Sequence, residues 1–96
     1  VIRERPKAIV LHSRDNVATA IRDLEVGELV EVKVGSQSVV VKLLDPIPFR
    51  HKFALLDIPK GEEVYKYGEV IATALRDIKR GEHVHIHNIA SPQRSA

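Results

Sequence analysis

Ninety-six residues, 44% of them hydrophobic, make one small domain with a modest core and much exposed surface. A formal charge of +2, two tyrosines, two phenylalanines and no tryptophan supply neither a basic stripe nor stacking platforms. Nucleic-acid binding is therefore not expected, despite the short basic start of Arg3, Arg5 and Lys7. Without cysteine there are no disulfides, thiolate nucleophiles or cysteine–zinc sites; without a long apolar run the expectation is a cytoplasmic protein with no membrane span or signal peptide.

Along the chain, Ala8-Ile9-Val10-Leu11 reads as a first strand that stops at His12-Ser13-Arg14-Asp15-Asn16. Val17, Ala18, Ala20, Ile21 and Leu24 are spaced for one face of a short helix, with Ser13 or Asp15 as its N-cap and an end before Gly27. Val30, Val32 and Val34 alternate with Glu31 and Lys33 as in a half-buried strand, and Gly35-Ser36 turns the chain into Val39-Val40-Val41. Asp45-Pro46-Ile47-Pro48 interrupts any central ladder, because proline donates no hydrogen bond. Phe53–Leu56, Val64–Tyr67 and Val70–Ala72 are further strands, and from Ser91 the chain is a polar tail. The expected fold class is all-β with one short helix, a single domain over 1–90 and a frayed segment over 91–96. The chain begins at Val1 rather than at methionine, which reads as a processed or trimmed start.

One pattern recurs. "DLEVGELV" (23–30), "DIPKGEEV" (57–64) and "DIKRGEHV" (77–84) share Asp, an aliphatic residue, two spacers, Gly-Glu, one spacer and Val. The aliphatic residue anchors a corner, glycine supplies a turn conformation closed to other residues, and valine opens the next strand. Asp57, Asp77, Gly61 and Gly81 are accordingly assigned to corners, and Gly68 and Glu69 to a turn. Three copies at so short a spacing argue for a compact β-fold with similar corners, not a solenoid.

"GEHVHIHN" (81–88) places His83, His85 and His87 at alternate positions, with Val84 and Ile86 between them. As a strand it would turn Val84 and Ile86 toward a core and three imidazoles the other way. Those imidazoles are ligands, acid–base groups or a solvated face.

The stretches "HSRDNVATAIRDLEVGE" (12–28) and "HKFALLDIPKGEEVYKYGEVIATALRDIKRGEHVHIHN" (51–88) resemble the amino-terminal module of the altronate/galactarate dehydratase family, over roughly residues 8 to 89. That module belongs to the SAF superfamily, so the resemblance implies a β-clip fold of short strands and corners. It also implies part of a hydro-lyase that dehydrates sugar acids, depends on divalent iron or manganese, and joins a larger catalytic region. Whether this chain is a separate small subunit or a domain of a longer enzyme stays open, as does a homo-oligomer. Among its residues, His12, Lys52 and His85 are the catalytic candidates. Asp15, Asn16, His51, Tyr67 and Asn88 are candidates for binding a small hydroxy acid, and His85 with His87 for holding the metal. Two alternatives stand beside this: a stand-alone sugar-acid-binding or assembly module without catalysis, and the small subunit of an enzyme like sulfolactate sulfo-lyase.

Overall fold

A computed structural model describes residues 6–92. The described strands are β1 (Ala8–Ile9), β2 (Val17–Ala20), β3 (Leu29–Val34), β4 (Gln37–Lys42), β5 (Lys52–Ala54), β6 (Glu63–Lys66), β7 (Glu69–Ala74), β8 (His83–Val84) and β9 (Ile89–Ala90). They form a four-stranded sheet in the order β1-β2-β5-β8, the hairpin β3-β4, and a three-stranded sheet β6-β7-β9, all antiparallel. The fold is all-β, as a SAF-like β-clip requires.

The recurring motif builds a recurring unit. In each copy the glutamate N–H donates to the carbonyl three residues back: Glu28 to Glu25, Glu62 to Pro59, Glu82 to Lys79. The glycine before it has φ of 82° to 88°, the left-handed value that the third residue of a type II turn requires. Two excursions then match closely. Leu24 and Ile47 exchange both backbone hydrogen bonds across an isolated bridge, as do Ile58 and Ile78. Inside the first, Gly27 donates to Leu43 and Leu43 to Glu28; inside the second, Gly61 donates to Ala74 and Ala74 to Glu62. Each bridge thus pins the base of one hairpin, β3-β4 or β6-β7.

The four-stranded sheet lies between these excursions and feeds a different core on each face. Ala18, Ala20 and Phe53 pack with Leu24, Val30, Val32, Val41, Leu43 and Ile47. Val17, Ala54 and Val84 pack with Ile58, Val64, Ala72, Ala74 and Ile78. Alternation along a strand explains the division, since neighbouring side chains point to opposite faces.

This two-sided burial overturns the expected helix. Val17–Ala20 is β2, paired with β1 through Ala8↔Ala20 and Ile9↔Thr19 and with β5 through Val17↔Ala54, Ala18↔Phe53 and Thr19↔Lys52. A helix could turn these residues toward only one core, whereas a strand places Val17 in one and Ala18 and Ala20 in the other. Among the described residues there is no helix, hence none long and apolar enough to cross a membrane. A second expectation is corrected at the histidines. The strand covers only His83–Val84; the chain then turns, closed by Asn88 N–H donating to the His85 carbonyl at 3.0 Å. Ile86 faces no core and is 81% exposed, so His85 and His87 do not share a strand face. The end of the expected tail, 93–96, lies outside the described residues.

Candidate functional site

Antiparallel pairing of β5 with β8, Lys52↔Val84 and Phe53↔His83, brings the residue before β5 beside the turn after β8. His51 Nδ1 lies 2.8 Å from His83 Nε2, and the His51 ring stacks on that of His85 with centroids 4.0 Å apart. One ring nitrogen from each of His51, His83 and His85 lies within 4.8 Å of the others. His87 stands at the margin, its ring centroid 5.1 Å from that of His83.

Backbone bonds fix the three rings' anchor points. His83 N–H donates to Asp45 Oδ2 at 2.9 Å, and His85 N–H to Asn88 Oδ1 at 3.0 Å. Asn88 is fully buried and its amide also donates to the His83 carbonyl at 2.8 Å, tying both ends of the turn together. His51 N–H donates to Pro48, and the preceding Arg50 has φ of 74°, an unfavourable conformation for a residue with a Cβ.

Burial lowers the His83 pKa from its ordinary value, and His87, His51 and His85 lower it further against an opposing pull from Asp45. Burial also lowers that of His85, followed by His51, Lys52 and His87. Lys52 is half-buried; burial and then nearby Lys66 push its pKa down. The His83 and His85 rings therefore favour the neutral form, which has a lone pair for a metal or a proton. Nitrogen donors of this kind fit iron, with manganese a poorer match for an all-imidazole set.

The remaining candidates lie around the loop before β2. Asp15 is buried and its carboxylate accepts from Tyr67 N–H at 3.0 Å and Gly68 N–H at 2.7 Å. Asn16 donates to the Glu63 carbonyl and accepts from Tyr65 N–H, at 2.9 and 2.8 Å. Asp15 and Asn16 thus direct their side chains at backbone and staple the loop to the β6-β7 hairpin, while Asn88 bonds backbone and, at 3.3 Å, Glu82 Oε2. His12 Nδ1 accepts from Arg14 N–H at 3.0 Å, which leaves the ring proton of the neutral form on Nε2. Its ring lies against Gly68, where a Cβ would come within 2.8 Å of it. Tyr67 is exposed and Lys66 Nζ lies 4.9 Å from its ring centroid. A run of neighbours leads from His12 through Gly68 and Tyr67 to Lys66, which lines a hollow with Thr19; Thr19 pairs with Lys52, and Lys52 with Val84 beside the histidine cluster.

Two contributors escaped the sequence. Asp45 reads as part of a proline-rich interruption, and His83 as the member of its trio without a role. The β5-β8 pairing brings His83 beside His51, and the bond from His83 N–H brings in Asp45.

Residues 6–92 match the family model described as the altronate/galactarate dehydratase SAF domain. The chain belongs to that family. The SAF domain is 49% identical over 80 residues to altronate dehydratase of Escherichia coli K12, covering 83% of this chain and 15% of that enzyme. It is 37% identical over 94 residues to galactarate dehydratase (L-threo-forming) of the same organism, covering 95% of this chain and 17% of the relative. Against (2R)-sulfolactate sulfo-lyase subunit alpha of Chromohalobacter salexigens it is 32% identical over 84 residues, covering 83% of this chain and 89% of the subunit. The chain therefore spans only a small part of the dehydratases but nearly the whole of the sulfo-lyase subunit.

Proposed function

We propose that this SAF domain serves a cytoplasmic hydro-lyase that dehydrates sugar acids, by receiving the acid's carboxylate and completing the substrate site of a larger catalytic region. The observation that carries the reading is the run of cation-capable groups from Lys66 and Lys52 to the histidines. Among the described residues, the ion pairs involve Lys7, Arg22 and Arg76, so no described carboxylate neutralises Lys52 or Lys66.

Dehydration of a hydroxy acid removes the proton α to the carboxylate and expels the β-hydroxyl as water. Lys52 opposes the carboxylate, and its partial burial strengthens attraction to an anion that displaces water. In this reading His12, with its proton on Nε2, donates to the departing hydroxyl, and the base that takes the α-proton comes from the larger region, which leaves the His85 lone pair to a metal. Tyr67 offers a hydroxyl to the sugar chain. The divalent iron or manganese implied by the family would supply Lewis acidity at the reacting carboxylate, and imidazoles are the donors this chain has for it. Near-complete coverage of the sulfo-lyase subunit favours one second reading: a separate small subunit whose large partner releases sulfite.

Grafting this chain in place of the matched residues of E. coli altronate dehydratase tests the role. The expected result is retained dehydration of altronate, with Lys52→Ala reducing kcat/KM about 100-fold or more, the scale of losing a charged transition-state contact. A fully active Lys52→Ala graft excludes Lys52 from the site. A folded graft that turns over (2R)-sulfolactate with its large subunit but no sugar acid selects the second reading.

A further inference from the structure

We propose that His51, His83 and His85 form a site for a divalent transition-metal ion on this chain alone, with no ligand borrowed from a larger region. The proposal goes beyond the dehydratase role, because it needs neither substrate nor partner. Three imidazoles arrive from two separated segments, the end of the loop entering β5 and the β8 strand with its turn. Their donor nitrogens lie within 4.8 Å of one another, and His51 Nδ1 and His83 Nε2 are already 2.8 Å apart. Imidazole–metal bonds of about 2.0–2.1 Å put adjacent donors of one ion roughly 3.0–3.4 Å apart, so the His51–His83 pair, now joined by a ring-to-ring hydrogen bond, has to turn its shared proton to another nitrogen and part by a few tenths of an ångström. His85 needs a modest movement. Its ring, stacked on His51 at 17° between planes, has to splay so that both lone pairs converge.

The main chain is built to hold this arrangement. Asp45 fixes the His83 backbone, Asn88 fixes the His85 backbone and the His83 carbonyl, and Arg50 adopts a left-handed conformation to deliver His51. Strain of this kind persists where the surrounding fold enforces it, and metal affinity depends on such support. A hollow lined by Asp45, Pro46, Arg76, Glu82, His83 and His87 gives access beside His83. Three nitrogen donors without a carboxylate select zinc, iron or cobalt over magnesium and calcium, and leave coordination positions for water or an oxygen ligand.

The 96-residue chain titrated with Co2+ provides the test. The expected result is one Co2+ per chain with a visible d–d band, displaced by Zn2+ and unaffected by excess Mg2+. His51→Ala, His83→Ala and His85→Ala should each weaken binding at least tenfold, while His87→Ala retains it. Because a cluster variant can lose its fold, imidazole nitrogen NMR of the native chain is read in parallel: Zn2+ should shift one ring nitrogen each of His51, His83 and His85. The absence of saturable Co2+ binding overturns the site. So does dependence on His87 with His51 dispensable, or a His51 resonance that Zn2+ leaves in place.

Discussion

The corner pair around Ile58 and Ile78 is closed reciprocally: Asp57 accepts from Arg80 N–H at 2.9 Å and Asp77 from Lys60 N–H at 2.8 Å. The pair around Leu24 and Ile47 is closed from one side only. Asp23 accepts from Phe49 N–H at 2.8 Å, two residues past the bridge as in the other pair, but Asp45 turns away to His83 N–H. Its position explains why. Asp23, Asp57 and Asp77 each stand one residue before their bridge residue, whereas Pro46 separates Asp45 from Ile47. Where the repeat is kept, the carboxylates serve architecture; where it is broken, a carboxylate is redirected to the histidine cluster.

The glycines of the three turns sharpen the comparison most. A Cβ on Gly81 would collide with the Lys42 carbonyl oxygen, while one on Gly61 would meet nothing nearby. Both have left-handed φ, so both alanine variants incur about 1–2 kcal/mol of backbone strain. Gly81→Ala adds displacement of packed backbone, about 1–3 kcal/mol more. Urea unfolding should therefore show Gly81→Ala destabilised by roughly 2–5 kcal/mol against about 1–2 for Gly61→Ala. Equal losses would mean that the third copy is not wedged against the first hairpin.

The aspartates break the comparison functionally. Asp57→Ala and Asp45→Ala each remove one carboxylate bond to a backbone N–H and should each cost about 1–2 kcal/mol of stability. Only Asp45→Ala should also weaken Co2+ binding, by severalfold, because of the two only Asp45 bonds the backbone of a cluster histidine. Calorimetry of unfolding alongside Co2+ titration separates the two effects. A matching loss of Co2+ affinity in Asp57→Ala would make the asymmetry incidental.

The same contrast explains what could be read from the chain beforehand. The corners were legible because Asp, aliphatic, Gly and Glu act locally, within a four-residue turn and its next strand. The family and all-β class followed from long stretches of specific wording. β2 was not legible as a strand, because Val17, Ala18 and Ala20 satisfy a helical face as well as alternation, and their pairing with both β1 and β5 decides the matter. The histidine cluster was half legible. Alternating histidines drew attention to His83, His85 and His87, but the turn begun at His85 leaves His87 at the margin and strand pairing brings His51 beside His83 and His85.

The smallest expected effect concerns the turn glutamates. Glu28 accepts from Glu25 N–H at 3.0 Å and Glu82 from Lys79 N–H at 3.1 Å, each capping its own turn. Glu62 has no such partner available, because its turn begins at Pro59, which carries no N–H. Glu28 also pairs with Lys7 at 2.8 Å. The Lys7 bond, then the Glu25 N–H, hold its pKa below the ordinary carboxylate value against the opposing effect of burial. A carboxylate lowered on folding adds stability that is fully present above its unfolded pKa and is lost as pH falls through the folded one. Stability measured from neutral pH down into the acid range should thus decline less steeply in Glu28→Gln than in the native chain. The difference should be below about 1 kcal/mol for a solvent-accessible pair, and smaller in high salt. An acid limb as steep in Glu28→Gln as in the native chain would mean that the capped turn does not supply the acid sensitivity.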